Sequence, residues 1–234
     1  MNEITTLACG AVLGTGAGLA LAPLTRRELA LSFARSTSAT SEPMTDTDTD
    51  EASAPRMSAS EVLTLSSISG LLLAVVTYRA GISLVVLPPL VLLVGMVQLA
   101  YCDLRRQLLP KSLVHALSAT LVGTGILVAA ATGDWHRFVV ATVGGLIAFG
   151  FLFAINLVNP RWMAFGDVRL SLAFGFGLAW IGPLALFQGF FYANILAVVV
   201  SVALMAVQRV DRNHSLPFGV FMALGAAAVV LLWA

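Results

Sequence analysis

A bundle of transmembrane helices is the fold this sequence predicts, and three observations predict it. The chain of 234 residues is 59% hydrophobic and only 11% charged. Its mean hydropathy is +0.93, more apolar surface than one soluble core of that length hides. The apolar residues gather in runs of about 20, the length of helix that crosses a hydrocarbon core of about 30 Å. Nothing in the runs alternates with the period of two that a barrel needs, and lipid offers no partner to a free backbone group, so the spans are helices. The class is therefore all-α, a polytopic bundle of about eight spans.

The first run, 4–24, has no basic residue ahead of it in Met1-Asn2-Glu3 and reads as a retained span, not a cleaved signal. Gly10, Gly14 and Gly18 give it a face for close helix packing. Residues 25–61 form a polar loop. Its start, "TRRELALSFAR" (25–35), continues the span as an interfacial helix with arginines at the headgroups. Its remainder, 36–60, is rich in Ser, Thr, Asp, Ala and Pro, has almost nothing to bury, and is predicted to be disordered. "DTDTD" within it lacks the glycine and distant glutamate of a calcium loop. Residues 62–234 form the membrane core, with spans at 62–78, 82–101, 112–132, 137–158, 168–182, 183–208 and 216–233. The short spans 62–78 and 168–182 and the soft boundary at Gly182-Pro183 leave seven spans as the alternative count.

Loop charge sets the orientation. With segments 25–61, 102–111, 159–169 and 209–215 on one side, that side carries 11 of the 13 Lys and Arg, and only Arg79 and Arg137 fall opposite. Such a bias marks the cytoplasmic side and places both termini outside. The scattered basic residues give no reason to expect a nucleic-acid partner. Trp135, Trp180 and Trp233 at outer span ends and Trp162 at an inner one suit an aromatic belt. "FGFGLAW" (174–180) reads as membrane packing, not a phosphate cradle.

Most acids belong to the N-terminal end or to loops: Glu3, Glu28, Glu42, Asp46, Asp48, Asp50, Glu51, Glu61, Asp134 and Asp211. Asp103 and Asp167 remain, one just after the 82–101 run and one just before the 168–182 run, both at the cytoplasmic boundary. A carboxylate at the hydrocarbon edge is costly and points to function. Two at one depth meet the requirement of an aspartic protease: one ionised to take a proton from water, one protonated to assist the carbonyl oxygen. Position alone also fits plainer roles, Asp167 as a helix cap and Asp103 as an ion-pair partner of Arg105 or Arg106. Paired acids serve proton- or cation-coupled transporters too, although a transporter more often shows a midplane site and repeated halves, and no repeat is evident. Cys9 and Cys102 lie at different depths and are not expected to pair. A Cys102 nucleophile lacks a companion histidine, His115 being the nearest in sequence, while His136 and His214 read as loop or interface residues. No metal site is evident.

Three blocks carry a resemblance: "DLRRQLLPKSLV" (103–114), "MAFGDVRLSLAFG" (163–175) and "LPFGVFMALGA" (216–226). Together, in this order relative to the spans, they resemble the type IV prepilin peptidases, membrane aspartic proteases of bacterial pilus and secretion systems, over about residues 85–230. The resemblance implies that Asp103, followed by Leu109-Pro110, and Asp167, ending a Gly-x-Gly-Asp-type stretch, are the catalytic acids. It implies a partner, a prepilin or pilin-like protein whose short basic leader is cut at the cytoplasmic face of the bacterial plasma (inner) membrane. Cleavage needs no cofactor, and S-adenosylmethionine enters only if the N-methylation common in the family is retained. Membrane lipid is the other partner. A presenilin-like protease fits less well, since Tyr101-Cys102-Asp103 is not a Tyr-Asp pair and no Pro-Ala-Leu follows near the C-terminus. A noncatalytic assembly protein leaves the acids without a purpose.

The chain departs from the family pattern in three places. Ala164 replaces the first motif glycine, Val220 stands where a second proline is frequent, and the first loop has no cysteine where many members carry Cys-x-x-Cys pairs suited to zinc. Finally, the dipole of each acid's own helix favours Asp167 as the ionised base and Asp103 as the protonated partner, an effect that Arg105 and Arg106 oppose, so the sequence leaves the location of the proton open.

Overall fold

The computed structural model describes residues 59–81, 83–106, 111–159, 163–206 and 218–233. The expected span at 4–24, the polar loop to residue 58, Cys9 and Trp162 lie outside the described residues. No strand occurs among the described residues, which form α1 (Ala59–Ala80), α2 (Leu87–Arg106), α3 (Lys111–Thr132), α4 (Trp135–Val158), α5 (Phe165–Ile181), α6 (Pro183–Ala206) and α7 (Phe218–Trp233). Each matches a run of the sequence. Five of them, α1, α2, α3, α4 and α6, are long and apolar enough to cross a membrane; α5 has 17 residues and α7 has 16.

Local chemistry explains the helix ends. A 3-10 turn at Leu84–Val86, with the Ser83 side chain accepting from the Val85 N–H, leads into α2. Pro88 and Pro89 then occupy the first turn of α2, where a missing N–H costs nothing. Gly133, at φ 77°, makes the turn from α3 to α4, and the Asp134 side chain caps α4 by accepting from the Arg137 N–H. Pro183 opens α6 directly after Gly182. Short turns of this kind make consecutive helices run up and down.

The bundle is organised around α5, which packs against α2, α3, α4, α6 and α7. Between apolar helices in lipid there is no hydrophobic force to draw them together, so small residues that let backbones approach decide which faces meet. A Cβ on Gly175 of α5 would lie 2.8 Å from the Gly144 carbonyl oxygen and 3.0 Å from the Gly145 Cα of α4. A Cβ on Gly225 of α7 would lie 2.6 Å from the Gly189 carbonyl oxygen of α6. The packing role read for "FGFGLAW" holds at Gly175 and at Gly177, which is in close contact with Leu92.

The expected aromatic belt needs one correction. Trp135 and Trp233 are exposed, but Trp180 is buried at 2% exposure, and its indole N–H donates to the Val85 carbonyl at 2.9 Å. Trp180 ends the helix that other helices surround, so its ring faces protein where a helix on the rim would face headgroups.

Candidate active site

Asp103 lies in the last turn of α2. The expectation placed it after the span; instead the helix continues beyond the apolar run through Asp103-Leu104-Arg105-Arg106. Asp167 is the third residue of α5, not its cap: the N-cap is Ala164, which has no side-chain cap hydrogen bond. The Asp167 and Val168 N–H groups both bond to the Ala164 carbonyl, at 3.0 and 3.4 Å. Asn156, near the end of α4, donates to the Met163 carbonyl at 2.9 Å and so ties the approach to α5 against the preceding helix.

Although 64 positions apart in sequence, the two acids come together. Asp103 is 4% and Asp167 5% exposed, and the charge of Asp103 acts on Asp167. The third block of the sequence reaches the same place, because the backbone N–H groups of Gly219 and Val220, in the first turn of α7, lie beside the Asp103 carboxylate. Its Oδ2 atom is buried without a hydrogen-bond partner, an acceptor left open at the centre of the site. Three helix ends thus converge: the C-terminus of α2 and the N-termini of α5 and α7. Asp103 therefore meets a helix N-terminus as well as the C-terminus of its own helix, and the dipole of its own helix alone does not decide which acid carries the proton.

Other residues weighed from the sequence take different places. Arg169 stands 4.6 Å over the Phe165 ring in a cation–π contact. Cys102 is fully buried, whereas His115 on α3 is exposed, so the two do not make a nucleophile and base. Among the described residues no group of three His, Cys, Asp or Glu side chains gathers as metal ligands would. The part played by Gly219 and Val220 is carried by main-chain groups and has no side-chain signal; its trace in sequence is Pro217-Phe218-Gly219 opening an apolar run.

A multi-pass membrane protein, helical throughout its described spans, with two buried acids at one end of its bundle is the class these features define. Its family is shown by comparison: the model described as the type IV leader peptidase family matches residues 90–207, half of the chain and both acids. This chain belongs to that family. Among curated proteins it is 27% identical over 168 residues to a prepilin leader peptidase/N-methyltransferase of Stutzerimonas stutzeri, a match that covers 70% of this chain and 55% of that protein. The chain thus spans about half the length of this relative. No solved structure matches it.

Proposed function

We propose that Asp103 and Asp167 are the catalytic pair of an aspartic endopeptidase that removes the basic leader of a prepilin or pilin-like protein. The observation that carries this reading is the meeting of two buried carboxylates from distant helices, with backbone N–H groups beside one of them. In this reading the two acids act as a coupled pair, one ionised and one protonated. The ionised acid takes a proton from water as the water oxygen bonds to the scissile carbonyl carbon, while the protonated acid donates to the carbonyl oxygen. The tetrahedral intermediate then collapses, the C–N bond breaks, and the leaving amine carries away a proton. Water and the two acids suffice.

In this reading the acid end of the bundle faces the cytoplasm of a bacterial cell, and about eight spans hold the protein in the plasma membrane. A prepilin inserted with its leader inside would present the junction between leader and apolar helix at the depth of Asp103 and Asp167. The test is cleavage of a model prepilin, with basic leader, terminal glycine and apolar helix, by the full chain in proteoliposomes. Asp103→Asn and Asp167→Asn each keep side-chain shape and remove a titratable proton. Each alone should be nearly as inactive as the double variant while inserting normally. Substantial cleavage by either single variant would overturn the assignment.

A further inference from the structure

The end of the bundle opposite the acids is indented. Here the turn between α1 and α2 and the ends of α5 and α7 enclose a cleft of about 150 Å³, lined by Val86, Pro89, Trp180, Val230, Trp233 and Arg137. Its walls are mostly apolar and are fixed by side-chain hydrogen bonds. Trp180 donates to the Val85 carbonyl, and Trp233 donates to Gln188 Oε1 at 2.7 Å. A cavity near this volume accepts a ring the size of benzene, so the cleft accommodates a segment of one acyl chain and not a whole lipid.

Charge names the rest of the ligand. Of the Lys and Arg residues whose side chains are described, Lys111 and Arg169 lie at the acid end, and Arg79 and Arg137 at this one. The two cations that break the charge asymmetry of the sequence both stand at the cleft. Arg137 lines it, and Arg79 adjoins it, donating to the Leu231 carbonyl at 2.8 Å beside Val230. Asp134 pairs with Arg137 through Nε at 3.4 Å, a contact that is more than a third exposed on both sides, and such exposed pairs hold weakly.

We infer that this cleft binds an anionic phospholipid, one acyl chain lying against Val86, Ile181 and Trp233 and the headgroup phosphate on Arg137 and Arg79. The apolar walls select a chain-bearing anion over free phosphate. The site is separate from the acids, so its occupancy is independent of whether they cut peptides.

Lipid retention by the purified full chain, read by native mass spectrometry with phosphatidylglycerol or phosphatidylcholine added, tests the site. Wild type should hold one phosphatidylglycerol in preference to phosphatidylcholine. Arg137→Gln should weaken that retention about fivefold, the equivalent of about 1 kcal/mol for one cation at a lipid surface. Asp134→Asn keeps the helix cap and removes the competing charge, so it should strengthen the preference. Val86→Phe, which narrows the cleft, should lower retention of both lipids. Equal retention of the two lipids by wild type would overturn the site. So would Arg137→Gln and Asp134→Asn moving in the same direction, or inorganic phosphate displacing the lipid at equal concentration.

Discussion

α5 and α6 follow one another with a single glycine between them, and both are strongly apolar, yet their surroundings differ. In α5, 12 of 17 residues are buried; in α6, only 3 of 24. Hydropathy does not separate the two, because lipid is as apolar as a protein core and a leucine is equally at home in either. What separates them is the distribution of small and polar residues. α5 brings Gly175 and Gly177 to its contacts and carries Asp167 and a buried Ser171, whose hydroxyl donates to the Val168 carbonyl. α6 turns Phe187, Phe191, Ile195, Val198 and Val202 outward and rests chiefly on α5 and α7. In such a bundle the helix with the buried acid is the one other helices enclose, since enclosure gives an acid both its protection from lipid and its partners.

The contrast is open to direct attack. The largest effect belongs to the acid: Asp167→Ala should lower leader cleavage by about a thousandfold or more, the range of a lost general acid or base. Asn194→Ala on α6, which removes an exposed amide bonded to the Phe190 carbonyl, should leave the rate within about twofold. Comparable losses in the two proteoliposome assays would erase the distinction between the helices.

Next comes the cost of charge on the outward face. Ile195→Lys, near the middle of α6 and exposed, should make insertion of that segment less favourable by about 3 kcal/mol, read as the inserted fraction in a glycosylation-reporter assay. An unchanged fraction would mean that this face looks into water or protein.

Smaller, and confined to the enclosed helix, is the glycine effect. Gly175→Val places side-chain atoms against the Gly144 carbonyl oxygen and should destabilise the folded protein by about 1–3 kcal/mol. Gly150→Val on α4, where an added Cβ meets nothing within 4 Å, should cost under about 0.5 kcal/mol. Reversible unfolding in mixed micelles compares them, and equal values would refute the close α4–α5 contact. The smallest change is Phe187→Leu on the outward face, with stability expected to move by under about 0.5 kcal/mol.

Several features were legible from sequence because they depend on residues close together in the chain. Apolar runs of span length gave the positions of all seven described helices, and Pro183 marks where one of them begins. Asp103 and Asp167 stood out because charge is rare in such a chain and both sit at span ends. The exact ends were less legible: α2 runs on through Asp103, since helix formation continues wherever the backbone hydrogen bonds do, with no regard for where hydropathy falls. Trp180 was misplaced on a belt for a related reason. Depth along the membrane follows from the order of spans, but whether a ring at that depth meets lipid or a neighbouring helix does not.

By itself, then, the sequence determined that the chain is helical, that it belongs in a membrane, and which two acids stand apart from the rest. Length and hydrophobicity decide those matters one segment at a time. Only the tertiary structure decided that α5 is enclosed and α6 is not, that Asp103 and Asp167 meet, and that the first turn of α7 brings backbone N–H groups beside Asp103. These depend on glycine contacts between helices distant in sequence and on main-chain N–H groups, which every residue but proline carries and which no residue type announces.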